Sequence, residues 1–375
     1  VGMLDAWGDH AAVRETLAEA SAALGEDIAK LIREGPKEAL DLTTNTQPVM
    51  LTAGVACYRA WRAEGGAEPM AVAGHSLGEY SALVAAGVLT LADALPLVRF
   101  RAQAMQEAVP VGAGAMAAIL GLDAQAVREG CAEAAAASGD VVEAANFNDP
   151  KQTVISGGKA GVAAACELLK AKGAKRALPL AVSAPFHCAL MKPAAERLRE
   201  RLASVAFAAP RIPLVNNIDV ASPTDVAAMR DALYRQAFGP VRWVEVVQAL
   251  RARGASALIE CGPGKVLAGM VKRIDAEAAS AAIYDPATLA PVGSPIPVFG
   301  MDPRALALSA ARTRVYVAAF ESGNRTSVVP FQAVRPSAGG LGLPAPNPPM
   351  APGLPAPPDV ALIVQHDGGA WRDEI

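Results

Sequence analysis

The residues best suited to chemistry are Gly74-His75-Ser76-Leu77-Gly78. An apolar run, Met70-Ala71-Val72-Ala73, leads into them, and a helical run from Glu79 to Gly87 leads out. G-x-S-x-G between a strand and a helix is the setting of a nucleophile elbow. Its glycines permit a sharp turn, and the serine Oγ is then presented at a helix N-terminus. Free backbone N–H groups there can meet the negative charge that develops on a carbonyl oxygen under attack. Such a serine makes and breaks an acyl-enzyme.

The serine needs a base, and the chain has four histidines: His10, His75, His187 and His366. His10 falls on an amphipathic helix and His366 in a low-complexity tail. His75 adjoins the nucleophile, so its side chain should leave the elbow in another direction. His187 follows Ser183-Ala184-Pro185-Phe186, a loop after a strand, where catalytic side chains often lie. Its Nε2 would take the Ser76 proton and return it to the leaving group. The bland alternative is a lone histidine satisfied by a backbone partner. No acid between Ser76 and His187 has the strand-end setting of an ester-hydrolase triad: Asp140 and Glu143 flank a strand, and Asp149 precedes a proline. A backbone carbonyl can hold the histidine tautomer instead.

Arg99 and Arg101 share the helix Val98–Met105. An arginine turned into the cleft could grip a substrate carboxylate with two parallel hydrogen bonds, although either taken singly also suits a solvated helix face. Gly262-Pro263-Gly264-Lys265 lacks the spacing of a phosphate loop, with Val266 at the hydroxyl position, and reads as a tight turn.

The elements that must position these residues follow from periodicity. Val13, Leu17, Ala20, Leu24, Ile28 and Leu31 predict a helix over about residues 10–33. A second helix follows Gln47-Pro48 to about Glu64, and a third runs from Leu91 to Gln106. Residues 113–182 read strand (115–120), helix (124–136), strand (141–146), strand (153–156), helix (160–172), strand (175–180), the ferredoxin-like β-α-β-β-α-β pattern. They interrupt an α/β body made of residues 1–112 and 183–290. The body resumes with a helix at 193–203, a strand at 213–216, helices near 224–238 and 243–253, and a buried strand at 257–260 before a final helix. From about Pro291 the composition shifts: roughly half of the 29 prolines lie there, and no lysine does. Residues 305–308, 314–319 and 327–329 read as short strands within 291–335, and the Pro/Gly-rich residues 336–375 read as disordered.

Bulk properties exclude little but usefully. Hydrophobic residues make up 52% of the 375, ample for a core, and the net charge of −3 gives no reason to expect nucleic acid or an anionic membrane as partner. Five scattered cysteines suit a reducing cytosol, and no His/Cys/Asp cluster has metal-ligand spacing. No apolar run is long enough to span a bilayer.

Residues 1 to about 290 resemble the malonyl-CoA:acyl carrier protein transacylases of bacterial fatty-acid synthesis. The resemblance rests on Gly74-His75-Ser76-Leu77-Gly78-Glu79-Tyr80-Ser81-Ala82-Leu83, Met105-Gln106-Glu107-Ala108-Val109-Pro110, Ala189-Leu190-Met191-Lys192-Pro193 and Gly262-Pro263-Gly264-Lys265-Val266-Leu267. It implies an α/β-hydrolase-like parallel-sheet body with an inserted ferredoxin-like subdomain. It also implies ping-pong transfer of malonyl from malonyl-CoA, through Ser76, to the phosphopantetheine thiol of acyl carrier protein. By the same resemblance His187 is the base, and Arg101 rather than Arg99 binds the malonyl carboxylate. The Leu77 backbone N–H is an oxyanion donor, the Gln236 backbone carbonyl orients the histidine, and His75, Met105 and Phe186 line the acyl pocket. Asn146 and Asn148 lie near the site without an assigned role. A cytoplasmic monomer with no cofactor is implied. An acidic carrier protein would meet a local basic patch, for which Lys172, Lys175, Arg176 and Lys192 are candidates.

Two departures set further expectations. The family opens with a buried strand ending in Gly-Gln-Gly-Ser-Gln, whose last backbone N–H is the second oxyanion donor, and this sequence starts after that point. A lost donor costs about 3–4 kcal/mol of transition-state stabilisation, so an impaired chain is expected. Residues 302–318 resemble one repeat of a YVTN-type β-propeller, foreign to the transacylases and read as a chimeric extension. Against malonyl transfer stand two other readings, a serine esterase or thioesterase on the same elbow and a non-catalytic fusion fragment.

Overall fold

Two short parallel strands carry the elbow. The computed structural model describes residues 1–182, 184–283 and the segments 303–308, 314–319, 363–366 and 371–373. Helices α1 (Ala11–Leu24), α2 (Ile28–Glu34), α3 (Lys37–Asp41) and α4 (Thr43–Ala63) precede strand β1 (Val72–Ala73). Helices α5 (Gly78–Ala85) and α6 (Leu91–Glu107) follow it. The next segment is β2 (Gly114–Leu120), α7 (Ala124–Ser138), β3 (Val142–Asp149), β4 (Gln152–Gly158), α8 (Lys159–Ala171) and β5 (Arg176–Pro179). The remainder of the first unit is α9 (Lys192–Ser204), β6 (Leu214–Val215), α10 (Val226–Phe238), α11 (Trp243–Ala252), β7 (Ala257–Cys261), α12 (Val266–Ile274) and β8 (Ala279–Ile283).

The architecture is α/β. β1 pairs in parallel with β6, Val72 opposite Leu214 and Ala73 opposite Val215, and β7 pairs in parallel with β8. Helices α4, α6 and α9 bury an aliphatic core that includes Leu51, Leu83, Leu95, Leu97 and Leu198, and removing that surface from water holds the body together. A separate cluster of Val215, Trp243, Val246 and Val247 packs under the parallel strands. The inserted segment is an antiparallel sheet in the order β3-β4-β2-β5, with α7 and α8 covering one face through Val127, Val162, Leu169 and Ile155. It is moored to the body along β3: Phe147 donates its N–H to the Val241 carbonyl at 2.9 Å, and Val241 donates to the Ala145 carbonyl at 2.8 Å.

Several boundaries differ from the periodicity. The helix expected over residues 10–33 is two helices, because Gly25 adopts φ 65°, ends α1, and leaves Asp27 to accept from the Lys30 N–H at the start of α2. α4 begins at Thr43 rather than after Pro48, and Pro48 sits inside it. Asn45 and Thr46 donate to the Ala39 and Leu40 carbonyls, which ties the extra turn to α3. β3 runs three residues further than expected, to Asp149, and so carries Asn148 to the body. β8, an alanine-rich strand with a weak signal of its own, exists as the parallel partner of β7.

The chain divides into two compact units, Val1–Ala290 and Pro291–Ile375. In the second, β9 (Pro303–Leu308), β10 (Arg314–Ala319), β11 (Ile363–His366) and β12 (Trp371–Asp373) form an antiparallel sheet in chain order. The strand expected at 327–329 lies outside the described residues. β11 and β12 fall in the stretch read as disordered; its proline and glycine content masked two β-prone pieces, Ile363-Val364 and Trp371-Arg372.

The turn from β1 into α5 admits no side chain at its first glycine. A Cβ on Gly74 would lie 1.9 Å from the Gly78 carbonyl carbon and oxygen, whereas one on Gly78 meets nothing within 4 Å. Gly74→Ala is therefore expected to destabilise the protein by about 3 kcal/mol or more, and Gly78→Ala by less than about 1 kcal/mol, in urea unfolding. Equal effects at the two positions would contradict this asymmetry.

Candidate active site

The parallel pairing of β1 and β6 brings the ends of both strands out side by side. Ser76 leaves β1 with φ 52°, a left-handed backbone that a side chain disfavours. Asn217, just past β6 and fully buried, holds it there. The Ser76 N–H donates to Asn217 Oδ1 at 2.7 Å, and Asn217 Nδ2 donates to the Gly74 carbonyl at 2.8 Å. The Asn217 N–H in turn donates to Glu79 Oε2 at 2.9 Å. Leu77 caps the N-terminus of α5, which points that helix end at the serine.

His187 reaches the serine from the loop before α9, itself at φ 62°. Ser76 Oγ donates to His187 Nε2 at 2.6 Å. On the other side of the ring, Nδ1 lies 2.9 Å from the Gln236 carbonyl and 3.2 Å from the Gly239 carbonyl. Both are acceptors, so Nδ1 carries the hydrogen and the Nε2 lone pair faces Ser76. Burial, the Arg101 charge and His75 push the His187 pKa down to about 3, against the two carbonyls that raise it. The ring is neutral and able to take a proton.

Arg101 and Arg99 part company. Arg99 pairs with Glu26 at 2.7 and 2.8 Å on the outside of the helix. Arg101 is buried and donates through Nη2 to Ser76 Oγ at 3.2 Å and to Gln236 Oε1 at 3.2 Å, and through Nη1 to Gln47 Oε1 at 2.7 Å. Burial lowers its pKa, and the neighbouring Tyr80 and Glu79 side chains oppose that. Its guanidinium lies 5.5 Å from the Tyr80 ring centre.

The remaining expected residues fall around this centre. His75 turns away from the serine: its Nε2 lies 2.9 Å from Asn148 Oδ1, and its ring packs against Trp243. It ties the elbow to β3, and burial lowers its pKa. Met105 is buried behind Gln47, with its sulfur 4.0 Å from Gln47 Nε2. Phe186 packs against both the body core and Met116, Ala118 and Val154 of the inserted sheet. Glu79, Asn217 and Gln47 had no signal beyond ordinary helix and strand-end positions, yet each touches the elbow or the arginine. The other acids and histidines lie elsewhere. Asp149 pairs with Arg273, Asp140 accepts from Val141 and Gly161, Glu143 accepts from the Ala189 N–H, His10 meets Glu64, and His366 is on β11. Among the described residues no group of three or more His, Cys, Asp or Glu is placed to hold a metal ion.

Glu79 is the most deeply buried acid beside this centre. Its Oε2 accepts from Gln236 Nε2 at 3.0 Å as well as from Asn217. Burial raises its pKa to about 7, opposed by those two hydrogen bonds and by the Arg101 charge. Gln236 Nε2 also donates to the Ser76 carbonyl at 3.0 Å. The assembly is thus a serine nucleophile, a neutral base held by carbonyls, and a buried cation within hydrogen-bond distance of the nucleophilic oxygen. It suits transfer of an acyl group that carries a negative charge.

Most of the chain is similar to known proteins. The acyl transferase domain family matches residues 7–292. The malonyl CoA-acyl carrier protein transacylase of Salmonella typhimurium is 53% identical over 290 residues, 77% of this chain and 93% of its own. The crystal structure of an acyl-carrier-protein S-malonyltransferase from Burkholderia pseudomallei is 66% identical, with a TM-score of 0.76, over 77% of this chain and 94% of that one. A type II PKS acyl-carrier protein in complex with its malonyl-transacylase gives 49% identity and a TM-score of 0.75, over 77% of this chain and 93% of that one. By the span of the family match and the level of identity, this chain belongs to the acyl transferase family.

Proposed function

We propose that this protein is an acyl-carrier-protein S-malonyltransferase, moving malonyl from malonyl-CoA to the phosphopantetheine thiol of acyl carrier protein for fatty-acid synthesis. The observation that carries the reading is the Arg101 guanidinium 3.2 Å from Ser76 Oγ, the place where an acyl group must sit. A cation buried there favours an acyl chain ending in a carboxylate over a neutral one. It is what separates malonyl transfer from a general esterase.

The steps follow from the geometry. Ser76 Oγ attacks the thioester carbonyl as its proton passes to His187 Nε2. The imidazolium is stabilised by the Gln236 and Gly239 carbonyls, in the role an acid plays in other serine enzymes. The Leu77 N–H, at the positive end of α5, meets the oxyanion. The C–S bond breaks, His187 returns the proton to the CoA sulfur, and malonyl is left as an ester on Ser76. The carrier-protein thiol then gives its proton to His187 and attacks the ester. Ser76 regains the proton, and malonyl leaves on the carrier.

We further read the protein as a cytoplasmic monomer that works without a cofactor, and no helix among the described residues is long and apolar enough to cross a membrane. Of the basic residues considered for carrier-protein docking, Lys172 pairs with Glu133. Lys175, Arg176 and Lys192 are exposed and are the better candidates.

Intact mass after incubation with malonyl-CoA is expected to show one added malonyl on the native chain and none on Ser76→Ala. An unmodified native chain would favour a non-catalytic fragment. Arg101→Ala is expected to lower kcat/KM for malonyl-CoA by ~10²–10³-fold, the effect of removing one partner from a buried charge pair. Its effect on a neutral acyl ester should be much smaller, and native protein that cleaves neutral esters faster than it transfers malonyl would establish the esterase instead.

Acid stability gives a separate check. His187 titrates near 3 in the folded chain, below its ordinary value of 6.5. The unfolded state therefore binds the extra proton first, and stability from this group is complete above about 6.5 and lost as pH falls toward 3. Thermal unfolding of His187→Asn is expected to be less sensitive to acidification from pH 7 to pH 4 than that of the native chain.

A further inference from the structure

Gln236 hydrogen-bonds both Glu79 and Arg101, with opposite ends of its amide. Nε2 donates to Glu79 Oε2 at 3.0 Å, and Oε1 accepts from Arg101 Nη2 at 3.2 Å. A glutamine amide can rotate by half a turn at little cost, exchanging its nitrogen and oxygen. In the exchanged orientation an NH2 group would face the arginine, donor against donor, and the amide oxygen would face a carboxylate oxygen. An ionised carboxylate accepts and never donates. When ionised, Glu79 admits only the orientation in which Nε2 points at it and Oε1 at Arg101, the orientation that the Ser76 carbonyl supports by accepting from Nε2 at 3.0 Å.

Glu79 is well fixed for this task. It is 1% exposed, and its Oε2 is held independently by the Asn217 N–H. When ionised it is also a buried negative charge that raises the Arg101 pKa from the far side of one amide. A carboxylate in direct contact would occupy the guanidinium and compete with the substrate. At one remove it sets the arginine's charge and direction while leaving Nη2 its contact with Ser76 Oγ, the hydrogen bond that a malonyl carboxylate can replace.

We propose that Glu79 is a positioning residue that locks the Gln236 amide with its oxygen toward Arg101, and that this lock gives the site its preference for a carboxylated acyl group over a neutral one. The proposal rests on the malonyl-transfer reading and concerns substrate choice within it. The base is separable, because His187 is oriented by the main-chain carbonyl of Gln236 rather than by its amide.

The test measures acylation of Ser76 by rapid quench and intact mass, with malonyl-CoA and acetyl-CoA as probes, on the native chain and on Glu79→Gln. The neutral amide at position 79 can pair with either orientation of Gln236. Glu79→Gln is expected to raise the malonyl-CoA concentration for half-maximal loading by about tenfold, the loss of one hydrogen bond to a charged group, with a smaller change in the maximal rate. Loading by acetyl-CoA should change by less than about threefold on the same scale. If the variant is not folded by thermal unfolding, Gln236→Met tests the same relay, since it removes the amide and keeps the carbonyl on His187. The same loss of preference is then expected. Equal slowing of both probes, or an unchanged malonyl preference, would overturn the proposal. A native chain that does not favour malonyl over acetyl would instead overturn the functional reading beneath it.

Discussion

Ser76 is held in a backbone conformation that its own side chain disfavours, and the rest of the site depends on that hold. A left-handed non-glycine residue stores on the order of 1–3 kcal/mol, which persists only when the surroundings leave the chain no alternative. Here the surroundings are specific. Asn217 uses one side-chain amide to bond the N–H of Ser76 and the carbonyl of Gly74, bracketing the strained residue. Gly74 in turn must lack a side chain so that the turn can close on Gly78. The parallel register of β1 and β6 delivers Asn217 to the right height, which makes a pairing of two residues per strand the foundation of the chemistry.

The electrostatics answer a problem that the hold creates. The elbow sits beside buried Arg101, His187 and Glu79, and a buried charge needs partners. His187 meets the problem by staying neutral, with acceptor carbonyls on one side and the serine on the other. Arg101 keeps its partners at neutral amides and a hydroxyl, and takes its balancing charge from further off. A carboxylate arriving as part of a substrate would complete that pairing.

Much of this was legible in the sequence. The elbow, its strand and its helix are local features, read within fifteen residues. The base emerged from elimination among four histidines, and the β-α-β-β-α-β segment from periodicity. The roles that escaped are those defined by distance in the chain. Asn217 looks like any polar residue after a strand, Glu79 like a helix's first-turn acid, and Gln47 like a residue beside a proline. Only tertiary structure shows that all three converge on Ser76 and Arg101. Element ends escaped for a related reason. β3 is prolonged to Asp149 by pairing with β4, Asp149 opposite Gln152, and α4 is extended by side-chain bonds to α3, neither of which local propensity encodes.

The long reach of these contacts has a consequence for how activity is acquired. The hydrogen bonds that build the site link positions 54, 111, 141 and 160 residues apart. Closing such loops comes late and all together, because each costs chain entropy before its neighbours stabilise it. A growing chain on the ribosome cannot assemble the serine, its base and its arginine until the Gln236–Gly239 segment has been made and packed. A partly folded molecule therefore holds its serine apart from both the base and the arginine.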